Sequence, residues 1–351
     1  MSGTNPVKTK SVTTVVDEPP GVPRERRPGF AARIIGNQAS LLVIVIIVIV
    51  VLFGVLNPIF FSLGVAGNIL VQWAPIALIA VGETFVIVTG GIDLSVGSTL
   101  TVSSVIAAFA MAGLTGAGWP DWLTLLIGTV VAVGLGAVVG TINQLLINFA
   151  KLVPFVATLA TLGAGAGVAV VLTGGGPVAG GPPSAQGLAV PWLGPLSWPA
   201  IIVIVIVVIA GLFLHKARFG RYTFAIGGNA FAATASGISV RKHVAKVYTL
   251  SGMFAGAAGM VLYLQLGSGS PSAGYGDELI AIAAVVIGGA SLAGGAANIG
   301  GTILGALLLS TLTSGLIIIN VDANWNQIVV AILIAAAASL QALRGIHRRK
   351  S

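Results

Sequence analysis

From Leu41 to Leu56 the sequence reads LLVIVIIVIVVLFGVL, a run without one polar side chain. A stretch this apolar cannot face water. In hydrocarbon every backbone N–H and C=O must be bonded within the chain, which leaves only a helix or a closed barrel. Transmembrane strands alternate apolar and polar residues over about ten positions. Here the apolar runs are continuous, so the fabric is helical despite its many valines and isoleucines. Only 7% of the 351 residues are charged, against roughly 25% in a soluble domain. The expected fold is an all-α integral membrane protein.

Ten apolar spans are predicted, near 39–56, 68–89, 96–114, 122–149, 153–173, 198–214, 244–265, 279–296, 299–319 and 326–343. Each is of a length to cross ~30 Å of hydrocarbon. Residues 1–38 form a polar tail with Pro19, Pro20, Pro23 and the run Arg24-Glu25-Arg26-Arg27, a composition that predicts disorder. The transmembrane domain then covers 39–343, and a basic tail covers 344–351. The Gly- and Pro-rich stretch 174–197 reads as a loop. The stretch 215–243 is the one long charged connection.

Charge orients these spans. All 17 Lys and Arg lie in the first tail, at Lys151, in the cluster 216–246, or beyond 343. With ten spans they share one side, which the positive-inside rule makes the cytoplasm, with both termini inside. The opposite loops receive Asp121, Asp277, Glu278 and Asp322, with Trp119, Trp122, Trp192, Trp198 and Trp325 as an interfacial belt. The net charge of +8 is then an orientation signal toward membrane lipid, and nucleic acid is not an expected partner. The chain has no cysteine, and His215, His243 and His347 fall in cytoplasmic segments. No metal site and no cofactor are expected.

Between two spans stands GGIDLSVGS, residues 90–98. Glycines permit close backbone approach and a helix break, and Asp93 and Ser95 can cap the helix that follows. A capping turn and a polar turn lining a solute path both fit Gly90, Gly91, Asp93, Ser95 and Gly97. A second string, GGASLAGG at 288–295, repeats the pattern Gly-Gly-x-x-Leu-x-x-Gly. Gly288 and Gly289 thereby mirror Gly90 and Gly91, as two related halves would place them. Asn143 lies within a span and can bond a neighbouring helix or a solute hydroxyl. Thr158 and Thr161 share a helix face by their i, i+3 spacing, with Phe155 one turn earlier. Glu83 is an acid within the second span and carries an insertion cost of about 2.5–3.5 kcal/mol on the scale for Asp at mid-helix.

GETFVIVTGGIDLSVGS, GTINQLLINFAKLVPFVATLATL, GRYTFAIGGNAFAATASGI and ELIAIAAVVIGGASLAGG occur in that order between about residues 40 and 343. Together they resemble the permease subunits of carbohydrate ABC importers, the ribose/xylose/galactose class. The resemblance implies a solute path for a monosaccharide, a separate ABC ATPase, an extracellular or periplasmic sugar-binding protein, a second permease copy, and a bacterial cell membrane. It also implies that residues 220–238 are the loop that couples to the ATPase. Within that loop Asn229 fits an N-cap, the alanines favour helix and Gly237 fits a stop. Ala232, Ala233 and Gly237 have the spacing of the general coupling motif, with Gly227 and Gly228 before them. Phe231 stands where that motif carries Glu, so an aromatic anchor replaces an ionic contact. A helix resting on headgroups beside Arg218, Arg221, Arg241 and Lys242 is the other reading. No lysine follows a glycine, which excludes the phosphate loop of an ATPase; the chain is a transport subunit and not an enzyme. An ion-coupled carrier of a small polar solute is the alternative function. It needs intramembrane charge, and the sequence offers Glu83 and Asp93.

Overall fold

The computed structural model describes residues 38–322 and isolated positions between 325 and 339. In chain order the helices are α1 (Gln38–Leu56), α2 (Leu63–Val88), α3 (Val96–Gly116), α4 (Asp121–Asn148), α5 (Pro154–Thr173), α6 (Ser184–Leu188), α7 (Trp198–Lys216), α8 (Arg218–Gly228), α9 (Ala230–Ala235), α10 (Val240–Leu266), α11 (Asp277–Ile287) and α12 (Ile299–Ile318). Eight of them, α1 to α5 with α7, α10 and α12, are long and apolar enough to cross a membrane. Both tails and most of the expected span 326–343 lie outside the described residues.

Contacts divide the helix ends into two sets. At one end Asn148 Nδ2 donates to Arg241 O (3.3 Å), and the Arg241 guanidinium lies 4.1 Å from the centre of the Phe149 ring. Gln38 Nε2 donates to Ile287 O (3.0 Å) and Gly295 N to Val88 O (2.9 Å) at the same end. At the other end Ser184 N donates to Asp121 Oδ2 (3.3 Å) and Asn57 Nδ2 to Ile318 O (3.4 Å). The bases among residues 38–322, from Lys151 to Lys246, lie at or near the first end, called here the basic end. Exposed Trp119, Trp122, Trp192 and Trp198 mark the other, where the last two stack at 4.8 Å.

The axis of the bundle is α2. From Trp73 to Val88 every side chain is buried, as expected of a helix that is apolar all round. Pro75 interrupts its ladder, because proline has no N–H to give the carbonyl four residues back. That carbonyl, Val71 O, accepts from Gln265 Nε2 of α10 instead.

The tightest seam joins α4 to α10. A Cβ on Gly136 would run into the Gly252 backbone, one on Gly140 into Tyr248 and Thr249, and one on Gly256 into Ala132. These small residues recur every fourth position on both helices, the spacing that lets membrane helices meet backbone to backbone. Sequence reading noted the helix-packing use of glycine without singling out this stripe.

The expected span 279–296 is not one helix. After α10 the chain turns at Gly267 (φ 67°) and runs back along α3 without helical structure. Gly269 lies against Ala108, Val105 and the Ser104 carbonyl, and Gly274 against Thr101 and Gly97. Only then does α11 form, with 11 residues, about 16 Å of rise. It stops at Gly288 and Gly289. Asp277 and Glu278 therefore do not stand in an outer loop: Glu278 is buried against Gly97 at the first turn of α3. Hydropathy could not show this, since 279–296 is as apolar as a true span.

The seam is testable with two glycines of one helix. Gly136→Ala should lower the unfolding temperature of the detergent-solubilised protein, by overpacking worth roughly 1–3 kcal/mol. Gly134→Ala meets nothing within 4 Å and should leave it unchanged or raise it slightly. Thermal unfolding of both variants checks the contrast.

Candidate functional site

α2 ends in a Schellman turn. Gly90 (φ 82°) takes the left-handed position, Gly91 N donates to Val86 O (3.2 Å) and Gly90 N to Ile87 O (2.9 Å). α11 ends identically: Gly289 (φ 99°) is left-handed, Ala290 N donates to Val285 O (3.1 Å) and Gly289 N to Val286 O (3.0 Å). The two Gly-Gly strings thus make the same break, but offset by one residue, the first glycine turning left-handed in one and the second in the other. Thr84 and Thr302 hydroxyls meet at 3.0 Å between the two units.

Past the first break, Asp93 is 1% exposed. Its Oδ1 accepts from Ser95 N (3.0 Å), Ser95 Oγ (2.6 Å) and, at longer range, Asn143 Nδ2 (3.4 Å); its Oδ2 accepts from Ser251 Oγ (3.0 Å). Thr161 Oγ1 donates to Asn143 Oδ1 (2.6 Å), and Asn143 Nδ2 donates to Ser95 Oγ (2.7 Å). The Thr158 hydroxyl is shared between Ile92 O (3.3 Å) and Pro154 O (3.0 Å). A single direction of donation runs from α5 through α4 to the carboxylate, with a second arm from α10. Asp93 N in turn donates to Glu83 Oε1 (3.1 Å) on α2. Five long helices therefore meet at the carboxyl group of one acid.

The structure brings Asp93, Ser95, Asn143, Thr158 and Thr161 into this knot, with Glu83. Ser251 was missed, because a lone serine in an apolar helix gives no signal of its own. Ser98 belongs as well, donating to Ser95 O (3.1 Å). The capping expectation changes form. Ser95 is the N-cap residue, yet its hydroxyl makes no cap bond to α3; Asp93 turns the chain by accepting from Ser95 N, an Asx turn. Phe155 is not in the knot and is half exposed. At about 100° per residue it points some 120° away from Thr161, so the shared face excludes it. Gly91 is fixed by Tyr248: a Cβ there would strike the phenol oxygen. Gly97 faces Glu278, and Gly288 packs on the Gly301 backbone beside Thr302.

The second group lies at the basic end. Asn229 Oδ1 accepts from Ala232 N (3.0 Å) to start α9, and Gly237 (φ 82°) stops it, with Ile238 N donating to Ala233 O (3.0 Å). The helix proper is 230–235, and the 11-residue α8 precedes it. Ala233 is buried, while Ala232 is exposed and Phe231 is 85% exposed. Gly227 packs against backbone: a Cβ would meet Val88 O and Gly295 N, whereas Gly228 Cβ would meet nothing. Gly294 sits 3.1 Å, by the same measure, from both Gly227 O and Gly90 N. The break after α2, the loop at Gly294 and Gly295, and the last turn of α8 thus share one junction.

Eight long apolar helices, a helix start buried at Ser95 and a short helix at the basic end suit a membrane permease. The family described as "Branched-chain amino acid transport system / permease component" matches residues 65–338, and the chain belongs to it, among the carbohydrate ABC-importer permeases of the ribose/galactose class. "Ribose import permease protein RbsC" of Escherichia coli (strain K12) is 39% identical over 313 residues, 88% of this chain and 94% of that protein. The protein of that name from Bacillus subtilis (strain 168) is 41% identical over 300 residues, 83% and 88% of the two chains. "Galactose/methyl galactoside import permease protein MglC" of Escherichia coli (strain K12) is 33% identical over 304 residues, 84% and 90%. No solved structure matches. The chain is a transport subunit and not an enzyme.

Substituting the acid tests the knot. Asp93→Ala leaves the Ser95 N–H and hydroxyl, the Ser251 hydroxyl and the Asn143 amide short of an acceptor, at roughly 1–3 kcal/mol for each buried group left unpaired. Asp93→Asn keeps Oδ1 for Ser95, and the Ser251 hydroxyl can turn to accept from the new amide. Thermal unfolding should show a large loss for Asp93→Ala and a small one for Asp93→Asn. Equal losses would mean that the charge itself is required.

Proposed function

We propose that this permease carries a monosaccharide of the ribose or galactose type inward, delivered by an extracellular binding protein and driven by a partner ATPase that docks on α9. The observation that carries this is Phe231, exposed on a short capped helix that stands at the basic end, just after Gly227, which is pressed on the end of α2 and on Gly295. An exposed aromatic with a small neighbour suits insertion into an apolar groove of another protein. Movement of that groove would reach Val88 and Gly90 through Gly227, and so the turn held by Asp93.

The substrate class rests on the relatives, whose names specify ribose, allose and galactose/methyl galactoside import. Asp93, Asn143, Thr158 and Thr161 were expected at a path or gate. Their burial and mutual bonding favour a role in holding the gate's turn over direct contact with sugar. Counted from the sequence alone, Glu83 and Asp93 are few acids for the ion-coupled alternative. With Asp277 and Glu278 inside the bundle that count no longer separates the two; membership among ABC permeases favours ATP-driven import.

The orientation follows from charge: the basic end faces the cytoplasm and 174–197 faces outward. A second copy of the chain would complete the importer. Single cysteines can be placed in this cysteine-free chain. An impermeant thiol reagent added to intact cells should label Ser184→Cys and spare Ser236→Cys; the reverse would overturn the orientation.

Docking is tested separately. Phe231→Asp changes an exposed side chain, so the permease should fold and insert normally. It should lose the ATPase on purification and lose sugar-stimulated ATP hydrolysis. Retention of both would remove α9 from the coupling route.

A further inference from the structure

The segment 267–279 is anomalous for its depth. On α10, Ser251 is level with Asp93, and Gly259 packs against the Leu100 carbonyl. Gly97 lies between these levels, near the middle of the 27-residue α10, and the Glu278 carboxylate lies against it. The chain from Gly267 to Gly276 thus descends without helical structure to mid-bundle. Irregular backbone is tolerated at such depth only when covered by protein or beside water. One side of the segment is covered, by the α3 stripe Gly97, Thr101, Ser104 and Ala108. The other is open: Ser272 is exposed, Tyr275 is 82% exposed, and Asp277 is partly exposed. A face carrying a phenol, a hydroxyl and a carboxyl at this height does not belong against acyl chains.

A second observation points to a ligand. Glu278 is only 8% exposed, and its Oε2 has no hydrogen-bond partner. Gly97 keeps this oxygen's place, since a Cβ there would collide with it. The Ser104 hydroxyl, further along the same α3 stripe, is also buried and unpartnered. Buried polar atoms are nearly always bonded, so acceptors and donors left free along one seam mark where something polar visits.

We propose that Ser272, Tyr275, Asp277 and Glu278 form the surface that the solute touches as it crosses, and that this solute is a neutral polyhydroxylated ring. Resting on the sugar-importer reading, the assignment names the contacts that reading lacks. Each carboxylate offers acceptors for neighbouring hydroxyls, and the Tyr275 ring offers an apolar face for the C–H side of a sugar. Glycines 267, 269, 274 and 276 give the segment freedom to move off α3 and uncover Glu278.

The test uses the assembled importer, permease with ATPase and binding protein, in vesicles. In the cysteine-free chain, Ser272→Cys and Tyr275→Cys should react with a small water-soluble thiol reagent, and Val208→Cys, exposed on α7, should not. Ribose, allose and galactose are then supplied in turn with the binding protein, and the transported one should slow labelling at 272 and 275. Glu278→Gln should lower uptake by about tenfold or more at unchanged ATPase binding, as expected for loss of one hydrogen bond to a charged group. Thiols at 272 and 275 as inert as that at 208, or Glu278→Gln with wild-type uptake, would overturn the proposal. Wild-type vesicles that take up none of the three sugars would overturn the sugar reading instead, while the labelling still decides whether this face meets water.

Discussion

A helix that stops inside a bundle leaves carbonyls and N–H groups with no water to take them. α3 meets that cost at its buried start, Ser95, and the rest of the structure is arranged around how it does so. At the basic end Gly90 turns left-handed and closes the last carbonyls of α2, and Asp93 receives the donors of the next turn. Because the acid is buried, its oxygens need donors, and these come from several helices. Ser95, Asn143, Thr161 and Ser251 are drawn to it, which fixes α3, α4, α5 and α10 around α2. The small-residue seam between α4 and α10 brings Asn143 and Ser251 close enough to serve one carboxylate.

Local chemistry was legible in the sequence wherever it acts over a few residues. The Asn229 cap and the Gly237 stop depend on nothing distant, and α9 appears between them. Membrane class and the positions of the eight long helices followed from apolar runs. Asp93, Ser95, Asn143, Thr158 and Thr161 could be chosen singly, but no spacing rule told that they bond one another. Phe155 stands apart from these bonds because the drift of 3.6 residues per turn carries it outward from Thr161. The stretch 267–296 failed for a different reason. Hydropathy measures side chains, whereas what distinguishes this stretch is irregular backbone, which has no letter in the sequence.

The misplacement of Asp277 and Glu278 has a simple origin. Acids beside a Gly- and Ser-rich stretch, GSGSPSAGYGDE, carry the composition of a surface loop. The same glycines allow that stretch to lie flat along α3, so composition alone cannot separate a loop in water from one laid inside a bundle. The two Gly-Gly strings show a related limit: their letters align in one frame and their backbones in another, one residue apart.

The junction of Gly227, Val88, Gly90, Gly294 and Gly295 is built without side chains at its points of contact. Two side chains pressed together can yield by changing rotamer, so a push on one is partly absorbed before the other moves. Peptide planes in contact have no such slack. A joint of this kind transmits small displacements with little lost motion, and it does so only while Gly227, Gly294 and Gly295 stay glycine. Even one added methyl at Gly227 would work as a wedge, setting the last turn of α8 apart from Val88 and Gly295.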